Sequence, residues 1–435
     1  MLSLRQGPSE AGRAMFPAPL GEIEAYARDH GLAVVRVAAS PDAGGRADVS
    51  WTSVCLRVPD DGSAGLPMIR GVILNDDKSS TYKLGLLRAV AKVADVSSSL
   101  SRPAPDTDDR VSVPLGLVAL NWIRAYLPLV AAGLPQAPGN AGPAGLGFAK
   151  AGFRALIEFD VRAQDLRIGA TFVGERAIAV HAALVEARRT IVDMPVRYTR
   201  MPNAAMQLFE AVATRAQRPD AALSITPAML WSWGGLSMPG PLWRTMQRHG
   251  VWIEPVLVAE WVRLTRGYAV RMGLDLAPGV VEARIAWSEP SRDTALARMV
   301  ANRIAADGKP IACVWSGVDL QPGTLDVDHA LPWSAWPCND LWNLLPASRR
   351  VNQHEKRDRL PTAAALARSR DAITQWWAEA WHSDPALAGR FAAEANASLP
   401  IEGEADPQAV FAGMEWRRLR VQQDQAPPSW AGVER

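Results

Sequence analysis

The chain has 435 residues, of which 48% are hydrophobic, with 47 basic and 45 acidic side chains. This length allows two or three domains, and the hydrophobic content excludes an intrinsically disordered protein. A net charge of +2 excludes a uniformly basic surface, so any surface for a polyanion must be local. The three cysteines, Cys55, Cys313 and Cys338, lie far apart. They exclude a disulfide framework, indicate no structural zinc site, and favour a reducing, cytoplasmic location.

Residues 1–131 are predicted to form an N-terminal α/β region of unknown function. Runs rich in β-branched residues at 32–39 and 68–76 predict strands. Residues 76–95 predict a helix that begins after a serine cap and carries three lysines and one arginine. We interpret these basic side chains as a solvated helix face, with a phosphate-contacting surface as the alternative.

The most hydrophobic window, residues 113–134, contains one arginine and two prolines. We predict a buried helix there, because a charged side chain is unfavourable in a membrane-spanning segment. Residues 1–16 lack the apolar core of a signal peptide. The sequence therefore predicts no membrane partner.

A Gly/Pro-rich linker is predicted at residues 132–147, where the chain reads AGLPQAPGNAGPAGLG. The next region, 148–284, is predicted to be mainly helical, because apolar residues recur at helical spacing at 178–192 and 254–270. This pattern fits a helical adaptor or a sensor and does not choose between them.

Residues 285–400 are predicted to form a C-terminal domain. A helix is predicted at 291–308, strands at 310–317 and 325–333, and a further helix from about Ser348. The segment between the second strand and this helix is interpreted as a loop.

Residues 401–435 are predicted to be a polar C-terminal tail. The fold class is therefore α+β and multidomain. It combines the N-terminal α/β region, the helical middle and the C-terminal domain of strands and helices.

Four polar residues in the C-terminal domain point to chemistry. Asp328 and His329 end an apolar run, where burial of either side chain is costly without a partner. Neighbouring strand residues point to opposite sides, so both can border one cleft only if the strand ends there, helped by Pro332. Asn343 and Asn352 follow on the loop and the helix. Each alone also fits a turn, a cap or a satisfied core imidazole, but the four together favour a phosphodiester-cleaving site.

The segment 325–361 carries these residues in the pattern DVDH, Leu-Pro, NLLP and VN followed by lysine. With the preceding apolar segment, at residues 310–361, it resembles the HNH (ββα-metal, His-Me finger) endonuclease family. It is most similar to the Asp-His…Asn…Asn subclass, which includes the HNH domain of CRISPR RNA-guided nucleases. The resemblance implies that the C-terminal domain at 285–400 is a ββα-metal nuclease acting on DNA.

The resemblance implies a role for each of the four residues. Asp328 and Asn352 would bind a divalent ion, Mg²⁺ or Mn²⁺, which hard oxygen ligands suit. His329 would be the general base on the attacking water, since its ordinary pKa lies near neutrality. Asn343 would hold the loop and orient His329. His354 is the alternative to Asn352 as metal ligand.

A group of basic residues surrounds this segment and is the candidate DNA-binding surface. Its members are Arg349, Arg350, Lys356, Arg357 and Arg359. Lys356 stands four positions after the last ligand, where three is common in the family, so its phosphate-contacting role is a departure from the pattern. The cysteine pairs that hold structural zinc in many relatives are also missing.

We expect a metal-dependent DNA endonuclease of restriction or anti-phage defence, with other defence-system subunits as partners. Nicking, or paired cuts by a homo-oligomer, is expected from one nuclease motif per chain. One alternative is a nucleic-acid-binding or scaffold subunit of a multi-protein defence complex. Another is a toxin-like effector or a mobile-element nickase, which the choice of cleavage site would distinguish.

Overall fold

The N-terminal strands belong to a unit of their own. The computed structural model describes residues 2–5, 19–30, 32–42, 44, 50–57, 61–105, 109–138, 149–202, 205–215, 218–219, 221–286, 291–321, 323–401 and 403–433. The chain divides into two units, residues 1–64 and residues 65–435.

The first unit contains one helix, Leu20–Asp29, and a three-stranded antiparallel sheet within its described residues. The strand Ser50–Arg57 lies in the middle, between Leu2–Arg5 and Ala33–Pro41. The strand predicted at 32–39 is therefore confirmed. The pairing of Ala33–Pro41 with the middle strand shifts in register after Val34.

The second unit begins with a mainly helical region. Its helices are Leu66–Arg70, Gly71–Asn75, Tyr82–Val96, Ser98–Leu100, Leu115–Ala131, Ala151–Glu158, Gly174–Ile191, Val192–Val196, Pro227–Trp231, Gly240–Arg271 and Val280–Ile285. Its strands are Arg102–Pro103, Arg110–Pro114, Thr171–Val173, Glu210–Ala213, Ala222–Ser224 and Gly234–Pro239. Four of these strands form one antiparallel sheet, and the remaining two pair with each other.

One hydrophobic core spans this region, from Ile69 to Ile285. The helix Leu115–Ala131 lies at its centre, as the apolar window at 113–134 predicts, and its Trp122 and Tyr126 are fully buried. Among the described residues, no helix combines the length and the apolar character that a bilayer crossing requires. The predicted linker at 132–147 falls partly outside the described residues, and the part that is described includes the buried Leu134.

The prediction of a strand at 68–76 is wrong. This segment is helical, first as Leu66–Arg70 and then as the wider turn Gly71–Asn75. Ile69, Val72 and Ile73 are buried at positions i, i+3 and i+4, which is helical spacing. Their β-branched character suggested a strand, but burial against the core determines the conformation.

The C-terminal region has its own core, which extends from Ala297 to Trp430. Its helices are Ala295–Ala306, Leu341–Asn343, Val351–Lys356, Ala363–Arg368, Arg370–Ala380, Pro385–Ser398 and Pro407–Gln425. Its strands are Leu325–His329, Leu344–Ser348, Leu360–Pro361 and Ser429–Trp430.

The hairpin of this region differs from the predicted one. The strand Leu325–His329 pairs in antiparallel fashion with Leu344–Ser348, the segment interpreted as a loop. The segment predicted as a strand at 310–317 instead makes a turn, which Gly317 completes at a φ of 73°. A single bridge, Ala312 to Asp319, closes that turn.

The expected polar tail at 401–435 contains the helix Pro407–Gln425. Asp406 caps this helix by accepting hydrogen bonds from the backbone of Gln408 and Ala409. Phe411 and Met414 are buried in the C-terminal core. The many charged residues of the segment dominate its composition and conceal this apolar side.

The helix Pro385–Ser398 joins the two cores. Its Ala397 belongs to the first core, whereas Phe391 and Ala395 belong to the second. The buried carboxylate of Glu394 accepts a hydrogen bond from the backbone N–H of Leu341 at 2.8 Å and one from Arg167 at 3.1 Å. One acidic side chain therefore connects the helical region to the loop that precedes the second hairpin strand.

We predict that Gly152→Ala destabilises the protein. Gly152 lies where the helices Ala151–Glu158 and Gly174–Ile191 pack, and a Cβ there would be 2.4 Å from the backbone nitrogen of Ala183. Backbone atoms cannot give way as a flexible side chain can, so we expect a loss of about 1–3 kcal/mol. Chemical denaturation of both proteins measures this difference.

The matched control is Gly389→Ala on the helix Pro385–Ser398, where a Cβ would meet nothing within 4 Å. Alanine favours a helix interior over glycine by roughly 0.5–1 kcal/mol, so this variant should be as stable as the wild type or more so. Equal stability of the two variants would contradict the packing argument.

Candidate active site

The hairpin Leu325–His329 and Leu344–Ser348 sets the directions of the predicted site residues. Asp328 lies opposite Leu345, and His329 opposite Leu344. The side chains of Asp326 and Asp328 lie on one face of the strand and that of His329 lies on the opposite face, because strand side chains alternate. The strand ends at His329, as the sequence pattern requires for a common cleft.

Asp328 is held in a buried ion pair with Lys356. The Lys356 ammonium lies 3.0 Å from the Asp328 carboxylate, and neither side chain is more than 1% exposed. Trp315 Nε1 donates a further hydrogen bond to the carboxylate at 2.8 Å. Burial raises the pKa of Asp328 and lowers the pKa of Lys356, while the opposite charge of each partner counteracts the shift.

Asn352 contacts Asp326 rather than Asp328. Its Nδ2 donates to Asp326 at 2.9 Å, and a longer hydrogen bond of 3.4 Å reaches the carbonyl of Val327. Arg298 pairs with the other oxygen of Asp326 at 2.9 Å. In the described part of the chain nothing donates to Asn352 Oδ1, so Asp326 fixes the amide with its oxygen available to a ligand.

His329 is fully buried and has a defined tautomer. Arg292 Nε donates to its Nδ1 at 3.4 Å. Because a guanidinium has no acceptor, Nδ1 must carry the lone pair. Its Nε2 lies 3.3 Å from Asn339 Oδ1. Burial lowers the pKa of His329 to about 4, and the charges of Arg292 and Lys356 add to this effect.

Asn339 fixes the orientation of the imidazole. Its Nδ2 donates to the carbonyl of Ser291 at 2.9 Å, and its Oδ1 accepts from the backbone N–H of Asp293 at 3.0 Å. These two bonds distinguish the amide oxygen from the amide nitrogen, so His329 must be the donor at Nε2. The contacts with Arg292 and with Asn339 therefore both place the lone pair on Nδ1.

Asn343 braces the loop that carries Asn339. Its Oδ1 accepts from the backbone N–H of Leu331 at 2.8 Å, and its Nδ2 donates to the carbonyl of Cys338 at 3.1 Å. Its own carbonyl accepts from the N–H of Ala330 at 2.9 Å. No hydrogen bond joins Asn343 to His329, and the hydrogen bonds of its side chain all go to the loop.

The basic residues around the site differ in exposure. Arg349, Arg350 and Arg357 are exposed, and Arg350 pairs with Glu355 at 2.7 Å. Arg359 is half-buried. The phosphate contact expected of Lys356 does not fit its burial, because its ammonium is enclosed with Asp328 and also donates to the carbonyl of His329 at 2.7 Å.

Four contacting residues were not identified in the sequence. Asp326 had a usable signal, since it stands two positions before Asp328 and therefore shares its face. Arg292 lies outside the ββα segment, whereas Trp315 and Asn339 lie within it but are not among its four polar positions. All three reach the site only through the tertiary fold. No local spacing marks them.

A divalent ion is implied by the resemblance, and the donor atoms can be tested for it. Asp328 and Asn352 offer a carboxylate and an amide oxygen, which hard cations prefer. The carboxylate already holds a cation, the Lys356 ammonium, at 3.0 Å. Within the described ranges no cluster of three or more His, Cys, Asp and Glu side chains could bind a metal. With that amide, the residues fit the ion in their chemistry.

Comparison with protein families gives two matches. Residues 62–285 match a family described as a domain of unknown function, DUF8808. Residues 313–362 match the HNH endonuclease family and include the strand, loop and helix of the candidate site. Searches among curated proteins and among solved structures gave no match. The chain therefore belongs to the DUF8808 family and joins that domain to a C-terminal HNH endonuclease domain.

Proposed function

We propose that the chain is a metal-dependent endonuclease that hydrolyses DNA, with His329 as the general base. The observation that supports this best is the tautomer of His329. A neutral imidazole with its lone pair on Nδ1 lies at the end of the strand that also holds Asp328, within the segment that matches HNH endonucleases. An imidazole in this state can accept a proton.

In the proposed reaction the oxygen of a water molecule attacks the phosphorus of the scissile phosphate. The proton of that water passes to His329 Nδ1, and the bond between phosphorus and the leaving oxygen breaks. The depressed pKa of about 4 keeps the imidazole neutral, and therefore able to act as a base, at pH 7. Asn339 holds Nε2 and prevents the ring from presenting its protonated nitrogen.

Asp328 and Asn352 Oδ1 would hold Mg²⁺ or Mn²⁺. Such an ion, when bound, stabilises negative charge on the phosphate and the leaving oxygen. Asp326 positions Asn352, and Lys356 is paired with the Asp328 carboxylate. DNA would approach over Arg349 and Arg357, which are exposed.

The proposal includes a role in restriction or anti-phage defence. It is supported only by the arrangement in which a long family domain precedes the HNH domain. The alternative, a DNA-binding scaffold subunit, predicts tight DNA binding without cleavage by the folded chain.

We predict that His329→Ala abolishes DNA cleavage, with a loss of about 10²–10⁴-fold or more, because the water loses its base. Nicking or linearisation of a supercoiled plasmid measures this, with Mg²⁺, Mn²⁺ or EDTA in parallel reactions. The wild type should cut only with a metal. DNA affinity and the unfolding midpoint of the variant should match those of the wild type.

Cleavage by His329→Ala at the wild-type rate would remove His329 from the mechanism. If folded wild-type protein binds DNA and leaves it intact with both metals, the scaffold alternative replaces the nuclease.

We predict that Asn339→Ala lowers the turnover rate roughly 100-fold with little change in KM, because the imidazole loses the partner that fixes its orientation. Asn339→Asp keeps an acceptor for Nε2 and for the backbone N–H of Asp293, so it should recover most of the rate. Steady-state cleavage of a labelled duplex separates the two parameters. Equal losses in both variants would indicate a purely structural role.

We predict that Arg349→Ala weakens DNA binding and reduces the slope of log affinity against log salt by about one unit. Arg349 is exposed and forms no ion pair within the described part of the chain. Fluorescence anisotropy at several salt concentrations gives the slope. Arg189→Ala, an exposed arginine of the helix Gly174–Ile191, is the control, and an equal slope change there would move the DNA to another surface.

A further inference from the structure

Arg292 stands beside the base and outside the matched HNH segment. It precedes the helix Ala295–Ala306 and donates from Nε to Nδ1 of His329 at 3.4 Å. Arg292 is exposed, whereas His329 is not. The guanidinium therefore lies on the solvent side of the imidazole, at the nitrogen that has to meet the attacking water.

Two other arginines near this site are paired with acids. Arg298 pairs with Asp326, and Arg350 pairs with Glu355. Arg292 pairs with no carboxylate within the described part of the chain, and its bond to His329 is its one hydrogen bond there. A guanidinium has five N–H donors, so four of them remain for an anion.

The bond between Arg292 and His329 is also a weak one. At 3.4 Å it is longer than an ordinary N–H hydrogen bond of about 2.9 Å. A phosphate offers a guanidinium two shorter, charge-assisted bonds in a planar fork, which stabilise it far more than one imidazole nitrogen does.

We propose that Arg292 binds the scissile phosphate and that this exchange of partners frees His329 Nδ1 for the attacking water. Without DNA, the Arg292 guanidinium is hydrogen-bonded to Nδ1 of His329. With DNA, the phosphate draws the guanidinium away and is held next to the lone pair. The inference rests on the proposed nuclease function, and assigns to Arg292 both phosphate binding and release of the base.

The test compares wild type, Arg292→Ala, Arg292→Lys and Arg303→Ala in single-turnover cleavage of a short duplex whose cut position has been mapped. Arg303→Ala removes an exposed arginine from the neighbouring helix Ala295–Ala306 and is the matched control. We expect Arg292→Ala to cut about 10²–10³-fold more slowly, as loss of one donor to a transition-state oxyanion does. Arg292→Lys should recover part of the rate, and Arg303→Ala should cut at the wild-type rate.

A second measurement isolates phosphate binding from catalysis. In the His329→Ala background, affinity is measured for the same duplex and for one with a neutral methylphosphonate at the cut position. Arg292→Ala should weaken binding of the natural duplex several-fold and leave the methylphosphonate duplex unchanged. Equal losses on both duplexes would place Arg292 on another phosphate and overturn the proposal.

The cleavage outcomes separate the two hypotheses. If Arg292→Ala cuts at the wild-type rate while His329→Ala does not cut, the nuclease stands and the role of Arg292 fails. If Arg292→Ala cuts faster, the guanidinium only blocks the base, and phosphate binding is refuted. If the wild type does not cut, the proposed function fails and the inference fails with it.

Discussion

The buried contact between the Lys356 ammonium and the Asp328 carboxylate is the interaction on which the site depends. Isolating either charge from water would cost several kcal/mol, so the pair exists only if the helix Val351–Lys356 packs on the strand Leu325–His329 in this register. The same register brings Asn352 to Asp326, since one helical turn spans about the length of two strand residues. One electrostatic requirement thus positions both faces of the proposed metal site.

The other side of the strand depends on amides rather than charges. Asn343 closes the loop after the strand, and that loop carries Asn339 to the imidazole. Asn339 is held by the carbonyl of Ser291 and the N–H of Asp293. These backbone groups therefore determine the orientation of the His329 ring. The proposed base and the proposed cation site therefore have different supports. Lys356 connects them, because it pairs with Asp328 and also donates to the His329 carbonyl.

The sequence predicted the HNH family, and the family match confirms it. The roles of the four polar residues stay a prediction, which the sequence allows because these residues form a local pattern with fixed spacing. The sequence assigned the wrong partner strand, for a physical reason. Pro346 lies within the strand Leu344–Ser348, and a proline normally demotes such a run to a loop. The Pro346 carbonyl accepts a hydrogen bond from Val314, in the segment that was predicted to be the strand. Because the nitrogen and carbonyl of one strand residue point to the same side, the Pro346 nitrogen also faces away from the hairpin partner, and its missing N–H removes no hydrogen bond of the hairpin. Arg292 and Asn339 could not be predicted, since only the tertiary fold brings them to His329.

The helix Pro385–Ser398 has a consequence for how such proteins can evolve. Its Glu394 is shared between Arg167 of the DUF8808 domain and Leu341 of the HNH domain, and Ala397 fills the core of the former. A gene rearrangement that moved the nuclease portion to a new neighbour would leave a buried acid without one of its cations, and an apolar side chain without cover. Arg390 of the same helix would still pair with Glu394, so the recipient would have to supply above all an apolar pocket for Ala397. We therefore expect the DUF8808 domain and the HNH domain to be inherited together, and not to be exchanged separately between proteins.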